Sequence, residues 1–201
     1  EISEKPVVEK TSDTFTVYVS GIDTEGAVST KSRSDVNILM TVNTKTKQVL
    51  LVNTPRDYYV PLPISGGARD KLTHAGIYGV ETSMGTLDML YGTSTDYYFR
   101  LNFSGFETII DALNGVDVYS DYEFVTRHGN YYIAPGMNHL NGNQALGFVR
   151  ERYSLPGGDH DRGKNQMKVI KAMIQKMTST DFLLNYSNVL NQKWYMYDEL
   201  F

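Results

Sequence analysis

Residues 48–54 narrow the choice of fold more than any other stretch, because Val49, Leu50, Leu51 and Val52 leave no polar position across most of a strand length. A strand that is apolar at consecutive positions has two faces to bury, which asks for covering layers on both sides of a sheet. The run is therefore expected at the centre of that sheet. Residues 34–43 carry Val36, Ile38, Leu39, Met40 and Val42 and read as a preceding strand, joined to the run by a Thr44-Lys45-Thr46-Lys47 hairpin turn. Residues 15–20 are rich in β-formers and read as the first strand. A helix is expected from Asp70 or a near neighbour, carrying Lys71, Leu72, His74, Ala75 and Tyr78, and a second over about 81–90. A strand at 97–102 then precedes a helix at 103–113, which Asn114-Gly115 would end. Short strands at 116–120, 122–126 and 131–133 lead to a short helix at 142–149. The best helical pattern is 161–177, with Met167, Ile170, Ile174 and Met177 at helical spacing. This interleaving argues for an α/β fold: a central mixed β-sheet with helices on both faces, a three-layer αβα arrangement. Residues 1–13 read as a linker from a longer protein and 14–201 as one domain, whose last 20 or so residues start helical and turn irregular.

Composition excludes several classes of function. The chain has no cysteine, so disulfides, thiolate catalysis and cysteine-bound metals are ruled out. Its net charge of -4 argues against a nucleic-acid surface, and basic clusters on an acidic protein favour a specific anion site. No apolar run reaches the roughly 18 residues that a membrane-spanning helix needs. Neither Gly-x-Ser-x-Gly nor Gly-x-x-x-x-Gly-Lys-Ser/Thr occurs, which excludes a serine nucleophile elbow and a P-loop.

The basic clusters share one chemistry. Arg150 and Arg152 stand two apart and would project to the same side of an extended segment, a fit for a group with several anionic oxygens such as a diphosphate. After the Pro156-Gly157-Gly158 turn, Asp159 can cap a helix that sets Arg162 and Gln166 on one face. Asp23 follows the first strand and Asp35 starts the second. If those strands are antiparallel, both carboxylates reach one sheet edge, where they suit Mg²⁺, with Mn²⁺ as a substitute. Arg33 stands beside Asp35 in Ser32-Arg33-Ser34-Asp35. Arg56 ends the apolar run in Pro55-Arg56-Asp57, and in open α/β sheets ligands bind at the carboxyl ends of strands. Lys71 and His74 form a further, weaker cluster; a structural role for the histidine is the commoner one.

With these motifs in order, the chain resembles the LytR-CpsA-Psr family, most closely its streptococcal capsule-type members. The resemblance runs over roughly residues 14–190 and rests on Ser32-Arg33-Ser34-Asp35, Thr54-Pro55-Arg56-Asp57, Asp70-Lys71-Leu72-Thr73-His74-Ala75, Gly105-Phe106 through Gly115-Val116-Asp117-Val118, and Arg150-x-Arg152 through Asp159-x-x-Arg162-x-x-x-Gln166. It implies a phosphotransferase anchored in the cell membrane by an N-terminal segment outside this chain, working on the extracellular face of Gram-positive bacteria. Such an enzyme moves a glycopolymer, here capsular polysaccharide, from a polyprenyl diphosphate carrier to peptidoglycan, with polyprenyl diphosphate hydrolysis as a side activity. The resemblance assigns Mg²⁺ to Asp23 and Asp35. It assigns the diphosphate to Arg33, Arg56, Arg150 and Arg152, with Lys71, Arg162 and Gln166 in support. Asp159 becomes an acid/base or an arginine-orienting group beside Arg56 and Asp35 in catalysis. The lipid tail would occupy an apolar tunnel between sheet and helices; plain core packing is the alternative use of those apolar faces. Gly158, Asp161 and Asn165 depart from the common pattern of the family, which bears on substrate contacts along that helix. A noncatalytic polyprenyl-phosphate or polysaccharide-binding regulator is the alternative function.

Overall fold

The computed structural model describes residues 13–22 and 31–177. In chain order the strands are β1 (Thr14–Ile22), β2 (Ser34–Asn43), β3 (Gln48–Asn53), β4 (Tyr59–Pro61), β5 (Arg69–Lys71), β6 (Tyr97–Leu101), β7 (Val116–Ser120), β8 (Phe124–Val125), β9 (Tyr132–Ile133) and β10 (Gly136–Leu140). The helices are α1 (Leu72–Ala75), α2 (Val80–Tyr91), α3 (Phe103–Ala112), α4 (Gly142–Arg150) and α5 (Asp159–Met177). The main sheet runs β3-β2-β1-β6, and three two-stranded pairs (β4-β5, β7-β10, β8-β9) stand outside it. β2 is antiparallel to both neighbours and β6 is parallel to β1, so the sheet is mixed, as expected.

Register decides which side chains share a face. Val17, Val19 and Gly21 pair with Met40, Ile38 and Val36, and Phe99 and Leu101 of β6 fall beside Val19 and Gly21. This face turns toward α3, α4 and α5, whose own core includes Ile110, Leu146, Phe148, Val169 and Met173. The alternate residues Tyr18, Leu39, Val52 and Tyr98 pack on the other face with Leu72, Val80 and Leu87 from α1 and α2. Helices therefore cover both faces. Local chemistry sets their ends: the Asn102 side chain accepts from Gly105 N–H at 2.8 Å to start α3, and Asn141 with Gln144 forms a capping box on α4. Asn114 and Gly115 take the left-handed backbone expected after α3 (φ 55° and 78°).

Three local expectations are corrected. β3 is an edge strand: Val52 is in the core beside α2, but Val49 and Leu50 next to the hairpin turn are 41% and 61% exposed. An apolar run reports a surface that could be buried, and only tertiary contacts decide how much is. The helix placed from Asp70 begins later. Lys71 is extended (φ -65°, ψ 138°) and pairs with Tyr59, so Asp70 and Lys71 belong to β5 and α1 is a single turn. Arg150 and Arg152 are not on one extended segment, because Arg150 is the last residue of α4 and Glu151 is its C-cap. The expectation for residues 181–201 lies outside the described residues.

Candidate active site

Strand register brings the first two charged groups together. The β2–β3 ladder ends at Ile38 and Asn53, and Thr54 N–H donates to Asn37 O at 2.9 Å, so Arg56 leaves β3 beside the start of β2, where Asp35 stands. Their side chains form an ion pair, Arg56 Nη1 to Asp35 Oδ1, at 3.0 Å. The next segment is stitched onto this pair by backbone: Tyr58 N–H donates to Pro55 O, Leu72 N–H to Tyr58 O and Thr73 N–H to Arg56 O, at 2.8–3.0 Å. Lys71 Nζ thereby reaches Asp57 Oδ1 at 2.7 Å, and Asp57 Oδ2 lies 3.7 Å from Arg56 Nε.

The remaining cations come from α4 and α5. The Arg150 guanidinium sits over the Phe103 ring, 4.1 Å from its centroid. Arg152 and Arg162 converge on Asp159 Oδ1 at 3.9 and 2.5 Å. Asp159 is the first residue of α5 and orients two arginines. Gln166 Nε2 donates to Val149 O at 3.4 Å and ties α5 to α4. Burial holds Arg162 below the usual arginine value; Asp159 partly offsets this, and the nearby Arg56 and Arg152 charges push it further down. Burial alone would also lower Arg56, yet the Asp35 carboxylate, helped by Asp57 and Asp159, holds it above its usual value. Crowded guanidinium groups of this kind repel one another until an anion enters.

Among the cavities that these residues line, two contrast. One, of about 420 Å³, lies between the sheet and α3–α5. Along α5 its lining passes from Arg162 and Gln166 to Ile170, Met173, Ile174 and Met177, and along β2 from Asp35 to Met40. A void of this size is far beyond the packing defects of an ordinary core, so the apolar faces are not simply packed together. The second, of about 450 Å³, is polar and lined by Arg33, Asp35, Arg56, Lys71, Thr73 and His74 among others. Asp35 and Arg56 line both. Asp23 lies outside the described residues; its neighbour Ile22 pairs with Ser34 in the antiparallel β1–β2 ladder. The half-buried Asp35 carboxylate, open to both cavities beside the arginines, is a hard oxygen donor of the kind Mg²⁺ takes. Among the described residues no three His, Asp or Glu side chains gather to hold a metal.

Several contributors were missed at the level of sequence. Glu151 is 2% exposed and accepts from the N–H groups of Arg127, Arg152, Tyr153 and Ser154, so it fixes the Arg152 loop. Its place between two arginines was the visible signal. His74 Nδ1 lies 2.8 Å from Asp70 Oδ1, and the buried Thr73 hydroxyl has no hydrogen-bond partner among the described residues. Beneath Asp35, the Tyr18 hydroxyl donates to Asn37 Oδ1 at 2.7 Å, Ser20 and Ser34 hydroxyls lie 2.6 Å apart, and buried Arg100 donates to Ser32 O at 2.8 Å. Nothing in the local pattern of β1 or β6 announces that network.

The LytR_cpsA_psr family model matches residues 1–195. The chain belongs to the LytR-CpsA-Psr family. It is similar to a polyisoprenyl-teichoic acid–peptidoglycan teichoic acid transferase, TagU, of Bacillus cereus, with 37% identity over 89% of this chain and 58% of the relative. The TagU of Enterococcus faecalis is 36% identical over 88% of this chain and 58% of its own length. The chain thus spans less than two thirds of the length of these curated relatives. Among solved structures it resembles Bacillus subtilis TagV, with a TM-score of 0.78 and 27% identity over 89% of this chain and 70% of that one. It also resembles TagT with bound octaprenyl pyrophosphate lipid, with a TM-score of 0.69 and 34% identity over 89% and 70% of the two chains. Two of the three positions singled out from the sequence as departures have local work in this chain. Buried Asp161 accepts from Gly157 N–H at 2.8 Å and pairs with Lys164 at 3.0 Å, and Gly158 is left-handed (φ 53°), so together they shape the turn before α5.

The Asp35 loop depends on one close approach. Ser32 N–H donates to Gly76 O at 2.9 Å, and a Cβ on Gly76 would overlap the Ser32 carbonyl oxygen. Gly76→Ala should cost about 1–3 kcal/mol through overpacking, because the backbone there is ordinary and only space is lacking. Urea unfolding checks it; an unchanged midpoint would show that the loop yields freely.

Proposed function

We propose that this domain transfers a glycopolymer from a polyprenyl diphosphate carrier to peptidoglycan. The observation that carries the reading is the apolar cavity of about 420 Å³ lined at its polar end by Arg56, Arg150, Arg152 and Arg162. A prenyl tail fills the apolar length, and the diphosphate meets the guanidinium groups, with Lys71, Arg33 and Gln166 in support. The acceptor sugar enters the polar cavity, where the Thr73 hydroxyl lacks a partner. Its hydroxyl oxygen attacks the phosphorus nearest the glycopolymer, the bridging P–O bond breaks, and polyprenyl phosphate leaves with the electron pair and takes up the hydroxyl proton. Arg56 and its neighbours neutralise charge on the phosphoryl oxygens, and positioning supplies much of the remaining rate. Asp159 holds Arg152 and Arg162 in place. Asp35 with Asp23 would hold Mg²⁺ or Mn²⁺, which when bound neutralises diphosphate oxygens. Water in place of the sugar hydroxyl would give diphosphate hydrolysis as a side activity.

The polymer is proposed as a class. Relatives are named for teichoic acid, and the capsular polysaccharide implied by the sequence resemblance is a second member of the same class. No described helix is long and apolar enough to cross a membrane. The proposed setting is the outer face of the cell membrane.

Native mass spectrometry followed by organic extraction tests the reading. We expect a polyprenyl phosphate or diphosphate to leave with the protein. An empty protein that also releases no polyprenyl phosphate from a lipid-linked oligosaccharide given peptidoglycan and Mg²⁺ would sink it and favour a noncatalytic binding role.

A further inference from the structure

A second basic cluster lies on the far side of Arg150, outside the site described above. A pocket of about 280 Å³ is lined by Arg127, His128, Arg150, Glu151 and Tyr153. Arg127 follows β8, 24 residues before Glu151, and was not among the sequence candidates. Its guanidinium lies 4.2 Å from the Tyr153 ring centroid, and that of Arg152 lies 4.6 Å from the same ring while donating to the Tyr153 hydroxyl at 2.6 Å. Arg150 Nη1 lies 3.5 Å from His128 Nδ1. Two guanidinium groups, of Arg127 and Arg152, therefore flank one tyrosine, and Arg150 lines the same pocket beside His128.

The cluster is built, and its charge is uncompensated. The one carboxylate in the pocket, Glu151, has Oε2 on Arg127 N–H at 2.7 Å and Oε1 on the N–H groups of Arg152, Tyr153 and Ser154 at 2.8–3.0 Å. It fixes two loops relative to each other and leaves the Arg127 and Arg150 guanidinium groups without an ion pair, while Arg152 faces Asp159 at 3.9 Å. Among the described residues no carboxylate pairs with Arg127 or Arg150. Donation from Arg152 and the charges of Arg127 and Arg162 hold the Tyr153 hydroxyl below its usual range, the sign of a positive field. In the polar cavity beside Arg56, by contrast, Arg56 and Lys71 are paired with Asp35 and Asp57, and Arg33 is a further cation of the lining. A pocket whose Arg127 and Arg150 have no carboxylate partner suits an anion.

Connectivity points to the source of that anion. Arg150 and Tyr153 line both this pocket and the apolar cavity, so a chain leaving the diphosphate at the cavity mouth passes directly into the pocket. We propose that Arg127, His128 and Arg150 form a subsite for an anionic group, a phosphate or carboxylate, on the sugar chain of the donor beyond its diphosphate. The proposal rests on the lipid-diphosphate reading and adds to it that donors are selected by charge.

The test compares three synthetic probes by isothermal titration on the whole chain: farnesyl diphosphate, farnesyl diphosphate linked to a neutral disaccharide, and the same disaccharide carrying a glycerol phosphate. Arg127→Ala should weaken binding of the phosphate-bearing probe about tenfold and leave the other two unchanged. In the wild type, the preference for the phosphate-bearing probe should shrink with added salt. Equal effects of Arg127→Ala on charged and neutral donors, or no effect on either, would overturn the subsite while leaving the lipid-diphosphate reading intact. An effect confined to transfer onto a charged acceptor would overturn the assignment to the donor. A wild type that binds none of the probes overturns the lipid-diphosphate reading and the subsite with it.

Discussion

Replacing Arg56 with alanine should lower glycopolymer transfer by about a thousandfold, a loss of about 4 kcal/mol of transition-state stabilisation. Arg56 is the cation that lines both the apolar and the polar cavity, and it is held at the end of a strand by Asp35 at 3.0 Å. A donor group fixed before the reaction begins loses no free energy to reorganisation during it, which is why its removal is felt so strongly. Stability should change little, by about 1 kcal/mol or less, because the Arg56–Asp35 pair is partly solvated, at 27% and 29% exposure. Lysine at this position would restore charge without the two-pronged donor and should recover only part of the rate. Transfer is measured with a lipid-linked oligosaccharide and peptidoglycan, and folding by thermal melting. Wild-type turnover in a folded Arg56→Ala protein would remove the arginine cluster from the chemistry.

Glu151→Gln should destabilise the fold by about 3 kcal/mol near neutral pH. Four backbone N–H groups converge on the buried carboxylate, and an amide presents one acceptor oxygen and a donor where the second was. Burial would raise the Glu151 value, but those N–H groups, Arg127 first, hold it below the usual carboxylate range. The sign of the pH dependence follows. A carboxylate depressed in the folded state adds stability above its unfolded value, near pH 4.3, and loses it as pH falls through the folded value. The gap between wild type and Glu151→Gln should thus be full at neutral pH and close in acid. Urea unfolding across that range measures it, and a gap that is small or independent of pH would show that the carboxylate charge is not what holds the Arg152 loop. The variant should also lose binding of a lipid diphosphate, since Arg152 N–H and Arg127 N–H share that one anchor.

Much of the site was legible in the chain because strand register is local arithmetic. A hairpin turn over Thr44 to Lys47 pairs Asn43 with Gln48, and the same ladder runs out to Ile38 and Asn53, three residues short of Asp35 and Arg56. The helix face of Arg162 and Gln166 was equally readable, since residues four apart on a helix are neighbours. Asp23 stays an expectation, outside the described residues. The polar network under Asp35 was hidden because Tyr18, Ser20, Asn37 and Arg100 sit in strands whose pattern reports only inward and outward facing.

By itself, then, the amino-acid order determined the mixed sheet with helices on both faces, the short-range pairings within it, and which charged residues stand at strand and helix ends. Turn length, apolar period and capping residues act over a few positions, so they are written locally. Only the tertiary structure decided that β3 lies at an edge, that the apolar faces of β1, β2 and α3–α5 stand apart around a cavity, and that Arg127 joins Arg150 through Glu151. Those outcomes depend on how far separated elements approach one another, a matter of packing volume and long-range hydrogen bonds that no window of sequence contains.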